Sequence, residues 1–209
     1  MRASLITSVL VFLCTVARVD AATITLDFEG FADLTTLTTQ YSGATFANTT
    51  ILTSGVSLND VDFPPHSGVN AVFDDGGPLS LSFTSPVAGF QGFLTYTSPL
   101  TLRAFDSSLT LLGSTTSAFS NNLSLGGDLG SSPNELLAIA FPNISRITIT
   151  GAPEGASFVL DDVTYTTAAA SGPPSAIPEP STLTLLALGC AGLMRRRRTP
   201  AKPFHQSTA

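Results

Sequence analysis

The sequence predicts an all-β, antiparallel β-sandwich between Ala22 and Thr167, and three features point to it. Apolar and polar residues alternate with period two along the body, interrupted by turn residues at intervals of roughly 8–12. Only 11% of the 209 residues are charged while Gly, Ser and Thr abound, the balance of extracellular β-proteins rather than helical enzymes. No stretch of the body carries the 3.6-residue period of an amphipathic helix. A hydrophobic fraction of 43% is enough to fill one core, so one domain is expected.

In chain order the expected strands are 23–28, 43–46, 51–58, 71–73, 79–83, 89–96, 100–105, 109–114, 135–141, 146–150 and 157–165. In Leu100-Thr101-Leu102-Arg103-Ala104-Phe105 the apolar residues alternate, and Asp106-Ser107-Ser108 then turns the chain into Leu109-Thr110-Leu111-Leu112, which is a hairpin signal. Arg146-Ile147-Thr148-Ile149-Thr150 places isoleucines on one face and threonines on the other. Asp74-Asp75-Gly76-Gly77 reads as a hairpin turn.

Charge is unevenly placed. The chain has nine Lys+Arg and fifteen Asp+Glu, but between Ala22 and Ile177 only Arg103 and Arg146 face thirteen carboxylates, so the body carries 2 − 13 = −11. Such a body repels nucleic acid, which is not expected as a partner, and favours divalent cations. The two cysteines, Cys14 and Cys190, lie in the terminal apolar runs, so the body can form no internal disulfide and must stand on packing.

The ends carry their own signals. Residues 1–21 begin with Arg2, continue through the apolar run Leu5 to Leu13 and reach Val19-Asp20-Ala21, a secretory signal peptide expected to be cleaved after Ala21. Leu13 stands where a lipoprotein cysteine needs a small residue before it, so Cys14 is not read as a lipidation site. Residues 168–177 form a Pro/Ala/Ser linker. Then follow Pro178-Glu179-Pro180, an apolar helix over Leu183–Met194, Arg195-Arg196-Arg197-Arg198, and a polar tail over residues 199–209. At 1.5 Å per residue this expected short transmembrane helix falls well short of the ~30 Å hydrocarbon core, so by itself it is a marginal membrane anchor. The arginines stay on the cytoplasmic side and leave the body outside.

This order over residues 178–198 resembles the PEP-CTERM sorting signal, which implies an exported protein held transiently at the inner membrane and processed by an exosortase-type peptidase. Such tails also go under the label "ice-binding protein C-terminal domain", which describes the tail and not the body. The extension after Arg198 is longer than usual for this signal. Within the body, Leu26-Asp27-Phe28-Glu29, Tyr41 to Phe46, Leu81-Ser82-Phe83 with Pro86 to Phe90, Leu100 to Gly113 and Phe158 to Val163 resemble a jelly roll related to galactose-binding-like modules. That resemblance implies a jelly-roll sandwich, adjacent first and last strands, and a structural calcium. Asp27, Glu29, Asp161 and Asp162 are the expected ligands, because calcium takes six to eight oxygens and these carboxylates lie on the two strands brought together.

A catalytic set is not expected. The body holds one histidine, His66, beside Pro64-Pro65 in an expected exposed loop, and no cysteine or lysine, so most acid–base and nucleophilic schemes lack their parts. Sugar recognition commonly uses an aromatic platform; there is no Trp, and Tyr41, Tyr96 and Tyr165 are the candidates, more often half-buried at strand ends. The expectation is a non-enzymatic exported surface or matrix protein associated with exopolysaccharide or biofilm. The alternatives are a calcium-dependent carbohydrate-binding module and, behind it, a secreted glycan hydrolase.

Overall fold

A computed structural model describes residues 21–168. The linker, sorting motif, arginine cluster and polar tail, both cysteines and all but the end of the signal peptide lie outside the described residues. The described chain is all-β. Its strands are β1 (Thr23–Leu26), β2 (Ala44–Ala47), β3 (Thr49–Thr53), β4 (Asn70–Asp74), β5 (Leu79–Tyr96), β6 (Thr101–Phe105), β7 (Leu111–Thr116), β8 (Glu135–Thr150) and β9 (Phe158–Thr167). All pairings between them are antiparallel, in the order β3-β4-β9-β5-β8-β6-β7, with β1 added on β9 and β2 on β5.

Two long strands organise this sheet, and here the structure differs from the expectation of separate short ones. Residues 79–83 and 89–96 are one strand, as are 135–141 and 146–150. Irregular register between Ser82 and Gly89 marks a bend inside β5. Its first part pairs with β2 and with Arg146–Ile149 of β8; its second part pairs with β9 and with Glu135–Ala140. The gaps expected between these strands, at Thr84-Ser85-Pro86 and Pro142-Asn143, are bends within continuous strands; Asn143 adopts φ 65. Both parts contribute to one buried cluster that includes Leu79, Leu81, Leu94, Leu102, Ile147, Ile149 and Leu160, each fully buried. Each such buried side chain contributes about 1.5–3 kcal/mol relative to leaving it exposed.

Other boundaries move for local reasons. The third strand stops at Thr53 rather than Leu58, because Val56, Ser57 and Leu58 all donate their backbone N–H to the Thr53 carbonyl around Gly55 at φ 73. The first stops at Leu26, before Phe28 at φ 60. The β6–β7 hairpin forms as expected, with Asp106 Oδ1 accepting from Ser108 N and Thr110 N. Asp74 to Gly77 is not a hairpin turn, since β9 lies between β4 and β5. Asp74 is instead a buried clamp that accepts Ser157 N, Ser157 Oγ and Phe158 N at 2.8–3.0 Å. Burial holds its carboxyl above the ordinary 3.8 in spite of these donors.

Candidate functional site

Register builds an open groove on the outer face of β1, β9, β5 and β8. Thr23 lies opposite Thr166, which lies opposite Gly89, which lies opposite Ala140. The next row on the same face, two residues along, is Thr25, Thr164, Gln91 and Ala138. Gly89, Ala138 and Ala140 leave a low floor between the threonines of β1 and β9 and the Gln91 side chain, a depression of about 510 Å³ lined by Thr23, Gln91, Thr164, Thr166 and the Gly89 and Ala138–Ala140 segments. Thr25 and Thr164 join their hydroxyls at 3.1 Å. The lining offers hydroxyls, an amide and apolar floor, and none of its side chains titrates near neutrality.

A third row lies one step beyond the groove lining. Phe93 follows Gln91 on the same face of β5, opposite Leu136. Across from it β9 carries an extra residue, because Gln91 pairs with Thr164 but Phe93 with Asp161, leaving Asp162 and Val163 against Gly92 alone. Asp162 takes φ 45 at this bulge, and a side chain at position 92 would collide with Leu160 at 2.6 Å. Bulges re-aim side chains. Here Asp161 and Asp162 both reach the connection between β3 and β4.

That connection, residues 54–69, folds back over the sheet. Phe63 and Leu58 pack with Leu52, Ala71, Phe73 and Val159 in a small second cluster. Beyond it, carboxylates hold the backbone. Asp161 Oδ2 accepts His66 N at 2.8 Å and Ser67 N at 2.9 Å, while its Oδ1 accepts Asp162 N at 2.7 Å. Glu29 Oε1 accepts Val69 N and Asn70 N, both at 2.9 Å. Gly68, at φ 54, leaves the room Glu29 needs. Asp162 Oδ1 accepts Ser67 Oγ at 2.9 Å, and Oδ2 accepts His66 Nδ1 at 2.6 Å; a carboxylate can only accept, so Nδ1 carries the proton. The His66 ring lies flat on Phe93, centroids 3.5 Å apart and planes at 8°.

Burial pushes the Asp161 carboxyl up to about 6 against the pull of its backbone donors, with the neighbouring Asp162 charge adding to the rise. Tyr41 sits beside the same corner, its hydroxyl accepting Phe28 N at 3.0 Å. Burial pushes it up to about 12, and Asp27, Glu29 and Asp161 act on it in the same sense through their charge.

Of the expected metal-ligating residues, Glu29, Asp161 and Asp162 converge on one loop segment, 66–70, and β1 does pair with β9. Asp27 turns back on its own chain, accepting Glu29 N at 3.2 Å. Among the described residues, no three His, Cys, Asp or Glu side chains gather as a metal-binding group. The sorting residues Pro178, Glu179, Pro180 and Arg195 to Arg198 lie outside the described residues. The tyrosines are not platforms: Tyr96 and Tyr165 are buried, and Tyr41 packs edge-on against Phe28 and Phe31. Sequence reasoning read His66 as a plain loop residue and did not single out Phe93 or Gln91. The repeated Thr23-Ile24-Thr25 and Thr164-Tyr165-Thr166 were the available signal for the groove, since each puts two threonines on one face.

Residues 176–198 match the PEP-CTERM protein-sorting motif, which marks a secreted protein processed at the membrane. No curated protein matches the chain. Among solved structures, a cleaved adhesin domain of Lys-gingipain from Porphyromonas gingivalis is 10% identical over 70% of this chain and 99% of its own, with a TM-score of 0.44. A DUF4465 family protein from Bacteroides caccae is 11% identical over 69% and 98%, TM-score 0.43. The CBM22-1 xylan-binding domain of Paenibacillus barcinonensis Xyn10C is 13% identical over 69% and 94%, TM-score 0.35.

Proposed function

We propose that the chain is a non-enzymatic exported surface or matrix protein whose sheet-face groove binds extracellular polysaccharide. The observation that carries this reading is the lining of the groove: threonine hydroxyls, the Gln91 amide and an apolar floor, without a titratable side chain. Hydroxyls and an amide match the donors and acceptors of sugar hydroxyls, whereas hydrolysis of a glycosidic bond calls for a pair of carboxyl groups flanking it. The groove crosses four strands, about 14 Å at ~4.8 Å per strand, longer than one sugar ring. The sorting motif is consistent with delivery to an exosortase-type peptidase, which would leave the body in the exopolysaccharide or biofilm. A jelly-roll sandwich is the architecture we assign to the body, supported by the bend in β5 and by the single core shared by its two parts.

Calcium at the acidic corner is a second, separate proposal. It is favoured by Asp27 Oδ2 and Glu29 Oε2, which accept no hydrogen bond among the described residues. Backbone carbonyls and water would complete such a site.

Affinity electrophoresis of the purified protein through gels containing soluble polysaccharides tests the groove. Retardation is expected in at least one of them, reduced by Gln91→Ala and by Ala138→Leu, which fills the exposed floor. Unretarded migration in every polysaccharide would reject the reading.

A further inference from the structure

Polysaccharide grooves gain much of their affinity by stacking a flat ring on the C–H face of a sugar, and this groove has no Trp or Tyr to do so. One ring pair is presented just beyond its lining. Phe93 stands one row beyond Gln91 on the same outward face, about 7 Å along β5. His66 covers it at 3.5 Å and 8°, so one face of the imidazole is fully occupied. The His66 side chain is nonetheless 36% exposed, and that exposure therefore belongs to its other face and edge. The ring is also held still. Nδ1 is tied to Asp162, and the backbone N–H of the same residue is tied to Asp161. A ring ordered before binding loses little freedom on binding.

We infer that His66, backed by Phe93 and oriented by Asp162, is the stacking platform of the groove, and that the sugar it takes is neutral. The inference rests on the polysaccharide reading above. Neutrality follows from charge. Asp161 and Asp162 bond His66 directly and Glu29 holds the same loop at Val69 and Asn70, while the body's two arginines lie elsewhere on the sheet, Arg103 opposite Thr148 and Arg146 opposite Phe105. No cation among the described residues is available there to receive a uronate carboxylate, which would instead meet negative charge in a body at −11. A neutral pyranose offers a C–H face to the imidazole and hydroxyls to Gln91 and Thr164.

The test titrates the protein with xylohexaose, cellohexaose, mannohexaose and an oligogalacturonate. At least one neutral hexaose is expected to bind and the oligogalacturonate not to. For the bound hexaose His66→Ala should weaken affinity about tenfold, equivalent to about 1.4 kcal/mol, whereas His66→Phe, which keeps a flat ring over Phe93, should stay within about threefold of wild type. In the wild-type complex, ring current should shift sugar C–H proton signals upfield, a readout that needs no variant. Unshifted sugar protons, wild-type affinity in His66→Ala, or oligogalacturonate binding as tightly as the neutral hexaose would each overturn the platform while leaving the groove reading standing. If neither the hexaoses nor any polysaccharide gel engages wild type, the groove reading itself falls, and the platform with it.

Discussion

Replacing Asp161 with asparagine should remove a pH dependence of stability that the wild-type protein shows between about pH 4 and pH 7. Asp161 is 1% exposed, and burial raises its carboxyl from the ordinary 3.8 to about 6. A folded-state value above the unfolded one means that the native protein holds this proton more tightly. Its contribution is therefore fully present below about pH 4 and is lost as pH rises through about 6. At 1.36 kcal/mol per pH unit the loss amounts to about 3 kcal/mol, a large part of a typical 5–15 kcal/mol total. Asp74 shifts in the same direction and contributes to the slope of both proteins, so the informative quantity is the difference between them. The asparagine side chain would retain one carbonyl oxygen for His66 N and Ser67 N and give up the acceptor for Asp162 N, a fixed cost of about 1–3 kcal/mol that does not depend on pH. Urea unfolding at a series of pH values measures both. Wild type should lose up to about 3 kcal/mol more than the variant from about pH 4 to pH 7. Parallel curves would refute the argument that burial outweighs the backbone donors at this carboxylate.

Calcium at the Asp27, Glu29, Asp161 and Asp162 corner should relieve the self-repulsion of a body at −11 and raise the melting temperature by several degrees, since a ligand at 100 times its Kd stabilises by about 2.7 kcal/mol. Glu29→Gln and Asp162→Asn should blunt the rise and Asp74→Asn should not; a melting curve indifferent to chelator removes the proposal. In a host with a matching exosortase, an epitope placed after Ala209 should be absent from the mature surface form and present when the peptidase is deleted. Retention of the epitope in both hosts would mean that the tail is only an anchor.

Features that depend on neighbours along the chain were legible before any fold was known. Period-two alternation identified the β class and located the strands, because side-chain direction in a strand is a local property. The hairpin around Asp106 was legible for the same reason, and so were the sorting signal over residues 178–198, which lies within the matched 176–198, and the charge of −11. Features that depend on register emerged only with the folded sheet. Whether Pro86 and Asn143 end strands or bend them is set by the partners that continue on either side, so two pairs of expected strands became β5 and β8. The groove exists because Thr164 and Gln91 are opposite one another, although they are 73 positions apart in the chain, and no local pattern encodes that pairing. Asp162 and His66 meet because one extra residue in β9 turns a carboxylate toward a loop 96 residues earlier. A one-residue slip of β9 against β5 would send Thr164 and Thr166 inward and Tyr165 outward, so long-range pairing, which the hydrophobic core enforces through Val163, Tyr165 and Phe90, is what turns two short threonine repeats into a binding face.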